Sequence, residues 1–364
     1  MSFFDNLFNI REDNYYGVSG LNNELSCIYI YNAFIKYKKG MLVVANSLFE
    51  ANIIYNKLCN YTDKVLFFPM DDFITSEAIA ISPEFKCERL NTLNTLIKDN
   101  NYIVVTNLMG VLRYLPKKEI WKQNIIHLEK GMSIERDRLI SSLFNVGYER
   151  DTIVTETGKL GVRGYVLDVF PIGEENPIRI EFWGDEIDSI KYFNSDSQMT
   201  TMDVSSVDIY PYTEFILDSF DNSIDRKQKY LKHYSNEISS LWNYVGNFMC
   251  FYIDYNQIGD GYKLLRDSIL SYDKENKNSS GIKTDYMYDI GDIKFDNYVF
   301  LMNFDNILSN IKLNYEDKFV SNIPEKYNGN IYEIVPEIRN SIEEFSEEKP
   351  QSDDITMLVF KYNK

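Results

Sequence analysis

The sequence predicts an α/β protein: a mostly parallel-sheet domain, split in sequence, with an α+β domain inserted into it. Three observations predict this. Short apolar runs alternate with helix-like stretches over the first 120 residues. Between about 124 and 212, strands follow one another with no helix between them, and from about 213 to 345 the first pattern resumes more weakly. Alternating runs mark βαβ units and a parallel sheet, whereas closely spaced strands mark an antiparallel one.

Each element has its own signal. Leu42-Val43-Val44-Ala45 reads as a buried strand, followed by Asn46-Ser47 and a helical pattern at Leu48, Ile53, Ile54 and Leu58. Val65-Leu66-Phe67-Phe68 and Ile103-Val104-Val105 are strands of the same kind, the second leading into Leu108, Val111 and Leu112 at helical spacing. Ser133 is the expected cap of a helix with apolar positions Leu139, Ile140, Leu143 and Phe144, ended by Gly147. Strands are expected over 164–170, 178–183, 187–193 and 207–210, with a loop at 171–177 and a turn at Gly184-Asp185-Glu186. Further on, 228–245 reads as one long helix, and Met249-Cys250-Phe251-Tyr252-Ile253 and Val299-Phe300-Leu301-Met302 as buried strands. The polar stretch 273–281 reads as a solvated loop.

Composition narrows the function. A hydrophobic fraction of 44% is enough for real cores and excludes global disorder. With 38 basic against 55 acidic residues, a net charge of −17, the chain is a poor candidate for a broad DNA-binding surface, which needs cations to replace phosphate counterions. Cys27, Cys59, Cys87 and Cys250 share no ligand spacing, and His127 and His233 are the only histidines, so no zinc site is expected. Free thiols fit a reducing cytoplasm. The start, Met1-Ser2-Phe3-Phe4-Asp5, has no secretory signature, and no run of ~18 apolar residues is present to span a membrane.

A nucleotide site would be sought first in Tyr15-Tyr16-Gly17-Val18-Ser19-Gly20-Leu21-Asn22-Asn23-Glu24. A working P-loop needs a glycine-rich turn, a lysine for the β/γ phosphates and a Ser or Thr for Mg²⁺. Gly17 and Gly20 are candidates for the turn, but Asn23-Glu24 stands where Lys-Thr should, and Glu24 would repel phosphate. ATP hydrolysis is not expected here.

The most specific stretch is Val162-Arg163-Gly164-Tyr165-Val166-Leu167-Asp168-Val169-Phe170-Pro171-Ile172-Gly173, continued by Asn176-Pro177-Ile178-Arg179-Ile180-Glu181-Phe182-Trp183-Gly184-Asp185-Glu186-Ile187 and, further on, Ser195-Asp196-Ser197-Gln198. It resembles domain 2 of UvrB and of the bacterial transcription-repair coupling factors (Mfd). Phe68-Pro69-Met70-Asp71-Asp72-Phe73, Ser82-Pro83 and Glu88-Arg89-Leu90 resemble the first domain of the coupling factors, and Val104-Val105-Thr106 with Leu112 and Pro116 resembles the strand and helix after it. The aspartate-serine-glutamine after the third strand, the missing P-loop and the missing aromatic hairpin favour the coupling factors over UvrB.

The resemblance implies an N-terminal UvrB-homology region (domains 1A, 2 and 1B). Its sheet domain is of degenerate P-loop (RecA-like) type, formed by 1–123 and 213–345, with a UvrB-type domain 2 at 124–212 and a tail at 346–364. It also implies a non-catalytic docking module for UvrA in nucleotide excision repair, with no cofactor. RNA polymerase and DNA would be reached only through domains outside these residues, which form a fragment or a stand-alone relative. By motif position, the partner contacts fall on Arg163, Arg179 and Trp183, the last standing where the family has an aromatic, usually Phe.

The residues themselves are compatible with this. Along a strand, Ile178, Ile180 and Phe182 share one face, and Arg179, Glu181 and Trp183 the other. Exposed Arg and Trp are the pair most enriched at binding hot spots; the competing reading packs Trp183 locally under Arg179 as a cation–π pair. Asp71-Asp72 and Asp185-Glu186 are adjacent acids in loops, with no His or nucleophile near them in sequence, and read as solvated. One rival remains. Gln351-Ser352-Asp353-Asp354-Ile355-Thr356-Met357-Leu358-Val359-Phe360 resembles the closing strand of metal-dependent serine/threonine phosphatases, which would make the chain a stand-alone hydrolase, though the other acidic ligands such a site needs are missing upstream.

Overall fold

Runs of consecutive apolar residues form strands buried on both faces, and capped segments between them form helices. The computed structural model describes residues 15–70, 82–216, 231–275, 287–293, 297–302 and 311–312. The first part runs β1 (Tyr15–Ser19), α1 (Asn23–Tyr37), β2 (Met41–Ala45), α2 (Leu48–Cys59), β3 (Val65–Phe68), α3 (Pro83–Leu96), β4 (Ile103–Asn107), α4 (Leu108–Leu112), β5 (Leu115–Pro116) and α5 (Lys118–Gln123). Three helix starts are fixed by side-chain caps: Asn22 accepts from Leu25 N, Ser47 from Glu50 N and Ser82 from Phe85 N, the last with Pro83 in the first turn.

The middle part runs β6 (Ile126–Glu129), α6 (Arg136–Asn145), β7 (Glu149–Arg150), β8 (Lys159–Arg163), β9 (Val166–Val169), β10 (Ile178–Trp183), β11 (Glu186–Phe193), β12 (Thr200–Val204) and β13 (Ser206–Ile209). The last part holds α7 (Leu231–Tyr234), β14 (Ile238–Ser239), α8 (Leu241–Val245), β15 (Met249–Ile253), α9 (Tyr255–Glu275), a 3-10 turn at Ile290–Asp292, β16 (Tyr298–Met302) and β17 (Ile311–Lys312).

Seven strands form one sheet in the order β17-β1-β16-β15-β2-β4-β3, every pair parallel. The sheet draws strands from both sides of the middle part: β15 lies against β2, and β16 against β1. Val43, Val105 and Phe251 face the core under α1 and α2, whereas Leu42, Val104 and Cys250 face a second core under α3, α4 and α8. Burial on both faces explains why these strands read as unbroken apolar runs. Among the described residues, no helix is long and apolar enough to cross a membrane.

The middle part is built differently. Six strands, β12-β11-β10-β9-β8-β7, pair antiparallel except for β7 with β8, and β13 pairs antiparallel with β6. Leu139 and Leu143 of α6 pack on one face of this sheet against Leu167, Ile180 and Ile190.

The chain returns from this sheet to the larger one through a buried ion triad. Arg89 on α3 and Arg113 after α4 both bind Glu214, Arg89 Nε at 2.7 Å and Arg113 Nε at 2.6 Å. Tyr212, two residues earlier, lies under the Lys86 ammonium at 3.8 Å. A side chain at Gly158, where φ is +86°, would collide with the Tyr212 ring, so that position needs glycine.

Several expectations are corrected. Gly17 is not part of a turn but lies inside β1, paired with Phe300. The expected strand over 164–170 begins with a turn at Gly164-Tyr165, and β8 before it carries no strong apolar run to mark it in the sequence. The long helix over 228–245 gives way to α7, β14 and α8, because Ile238 and Ser239 pair with β5. The helix expected to start at Ser133 begins only at Arg136, with Glu135 before it making no side-chain cap bond, and Ser133 instead bridges to Glu186. Asp71, Asp72 and the tail with Asp353 and Asp354 lie outside the described residues.

Candidate functional site

The face of the small sheet opposite α6 carries the motif residues. β8 and β9 are joined by the two-residue turn Gly164-Tyr165, with Gly164 at φ +57° in the region glycine occupies without strain. β10 and β11 are joined through Gly184 at φ +63°. Along β10, Ile178, Ile180 and Phe182 are buried while Arg179 and Glu181 are half-buried and Trp183 is open. A register shift between Glu181 and Phe182 inserts an extra residue on β11 near this end.

Cross-strand register sets the rows on this face. Arg163 pairs with Val166, and Val166 with Glu181, so Arg163 lies in the row between those of Arg179 and Trp183. Arg179 pairs with Asp168, and the two side chains form a fork-to-fork ion pair, Nε to Oδ1 at 2.7 Å and Nη2 to Oδ2 at 2.9 Å. The guanidinium lies 4.5 Å over the Phe193 ring, and Nη1 reaches the Gln198 carbonyl at 3.4 Å. The cation–π partner of Arg179 is therefore Phe193, not Trp183. Most donors of Arg179 are used inside the protein, which fixes the group in place.

Trp183 is 83% exposed, the most open large hydrophobic side chain among the described residues. Arg163 is exposed and donates from Nη2 to the Thr152 carbonyl at 2.9 Å. Glu181 accepts from Lys191 at 2.6 Å and Ser189 at 2.5 Å, and these bonds, Lys191 first, hold its carboxyl below the usual range. The three motif residues thus share one face, with two very different degrees of freedom: Trp183 stands open and Arg179 is braced.

At the other candidate site, only Gly20, Leu21 and Asn22 join β1 to α1, with Gly20 at φ +84° and Leu21 buried. Asn23 opens the helix. Glu24 is paired to Lys57 and accepts from the Tyr61 hydroxyl at 2.7 Å; the Lys57 bond, then the Tyr61 bond, lower its pKa. Among the described residues, no group of three His, Cys, Asp or Glu side chains is placed to hold a metal ion. His127 is exposed and pairs with Asp208.

Residues 126–215, which hold the small sheet, α6 and the β6–β13 pair, match the family model of the UvrB interaction domain. Over rather more than half of its length the chain is similar to transcription-repair-coupling factors. It is 33% identical over 202 residues to that factor from Bacillus subtilis (strain 168), covering 55% of this chain and 17% of the relative. It is 29% identical over 231 residues to the one from Staphylococcus epidermidis RP62A, 63% of this chain and 19% of the relative. The factor from Staphylococcus aureus USA300 is 30% identical over 223 residues, 57% of this chain and 19% of the relative. The chain spans less than a fifth of the length of these relatives.

Proposed function

We propose that this chain is a non-catalytic docking module of transcription-coupled nucleotide excision repair, working in the cytoplasm, and that it recruits UvrA through Arg163, Arg179 and Trp183. The observation that carries this is the open indole of Trp183 on a face braced by the Arg179–Asp168 pair. A large ring on a rigid strand end loses little entropy when a partner covers it, and its burial supplies the driving force. The match of 126–215 to a UvrB interaction domain supports UvrA as that partner. Titrating the intact chain into purified UvrA in a calorimeter is expected to give saturable binding with a negative heat-capacity change. Absence of binding by the intact chain would overturn the proposal.

We infer also that the larger sheet is one domain of degenerate P-loop type, split into 1–123 and 213–345 by the inserted domain at 124–212. The three-residue connection from β1 to α1 supports this, being too short to wrap phosphates. So does Glu24, whose carboxylate sits at the helix start with Lys57 already engaged by it. An ATPase assay is expected to give no turnover; turnover abolished by Glu24→Gln would sink the inference.

A further inference from the structure

The docking face does not stop at the three motif residues. Tyr165 is 68% exposed and sits in the second position of the β8–β9 turn. Gly164 before it supplies the positive φ that such a turn requires, so nothing in the turn geometry calls for an aromatic at Tyr165. Its carbonyl accepts from Phe182 N at 2.9 Å, which holds the turn beside the end of β10, one residue from Trp183.

The tip is braced from a second side: the Arg136 guanidinium, at the start of α6, donates to the Gly164 carbonyl. On the far side of β11, the segment 131–134 adds a further rung. Gly131 N donates to the Ile187 carbonyl at 2.8 Å and Ile187 N to the Met132 carbonyl at 2.9 Å, leaving the Met132 side chain open. Three apolar side chains from three separate segments thus emerge at one end of the sheet, each on backbone hydrogen-bonded to its neighbour. Around them stand Arg136 and Arg163, and the acids Asp185 and Glu186 at the β10–β11 turn. Scattered exposed apolar residues are ordinary; two open aromatics on neighbouring hairpin ends, tied through the Phe182–Tyr165 backbone bond, mark a contact surface.

We propose that Tyr165 is a second aromatic anchor for the same partner as Trp183, so that UvrA covers the tips of both hairpins together. This rests on the UvrA reading above. The ring carries the contact through burial against an apolar hollow of the partner, and the hydroxyl stays at its rim.

The test compares the intact chain with Tyr165→Ser and Tyr165→Phe by calorimetry against purified UvrA. Tyr165→Ser is expected to weaken binding about 10-fold and Tyr165→Phe to stay within about 2-fold of the parent. Tyr165→Ser binding within about 2-fold of the parent, while Trp183→Ala binds weakly, would overturn this inference and leave the UvrA reading standing. If the unsubstituted chain fails to bind, both fall together. A photo-crosslinking phenylalanine analogue placed at residue 165 keeps the test decisive if the serine variant misfolds: crosslinks to UvrA are expected, and crosslinks from a control position on α9 but none from residue 165 would refute it.

Discussion

Glu214→Ala is expected to lower the stability of the chain by about 3–5 kcal/mol, because it leaves two guanidinium groups facing each other in a dry interior. All three side chains of the triad are at least 95% removed from solvent. Arg89 still donates to the Pro69 carbonyl at 3.1 Å and Arg113 to Met70 Sδ at 3.2 Å, both uncharged acceptors. Neither can neutralise a cation. A loss of this size is a large fraction of the ~5–15 kcal/mol that holds most domains folded. It is read as a shift in the urea midpoint at neutral pH, and a loss below about 1 kcal/mol would refute the argument. Replacing all three residues with apolar ones of similar volume should recover much of the loss, since the pair's desolvation cost disappears with the charges.

The same triad sets an acid limit. Burial pushes the Glu214 carboxyl up, but the Arg113 and Arg89 charges and their hydrogen bonds outweigh it and hold the group at about 2. A carboxyl whose folded pKa lies below its unfolded value, about 4.3, stabilises the fold fully above that unfolded value. Its contribution declines as pH falls from there towards 2. Glu214→Ala should therefore narrow the gap in stability between pH 7 and pH 3 relative to the parent chain.

Much of the fold was legible because burial on both faces writes itself as apolar runs. β3 (Val65–Phe68) and β15 (Met249–Ile253) were read with their observed ends for that reason. So was β10, where a buried face alternates with an outer one. What failed were features set by distant partners. The 228–245 stretch has Leu231, Leu241 and Val245 in helical rhythm, and the pairing of Ile238 and Ser239 with β5 interrupts it. The turn at Gly164-Tyr165 hid inside a continuous pattern, and with it the exposure of Tyr165. Glu214 finds Arg89 across 125 positions of sequence, beyond the reach of any local pattern. At the candidate site, the outward direction of Trp183 followed from strand alternation. The bracing of Arg179 by Asp168 required the register of β9 against β10, which the sequence does not print.

That bracing decides which substitution probes docking cleanly. Arg179→Ala would remove a guanidinium from the face but also leave the Asp168 carboxylate buried without its partner. Any loss of binding would then mix a missing contact with a loosened sheet. Trp183→Ala has no such ambiguity: the indole is open to solvent and β10 ends there. Its stability should change by less than about 0.5 kcal/mol, as for surface positions generally. Binding to UvrA should weaken by about 2 kcal/mol, roughly 30-fold. Thermal melts and calorimetry on the same preparation measure both quantities. A Trp183→Ala chain that melts with the parent and still binds UvrA within about 2-fold would remove the indole from the interface. A split between unchanged melting and lost affinity would place the partner on this ring, because a tryptophan that stabilises nothing in the free protein can act only through what covers it.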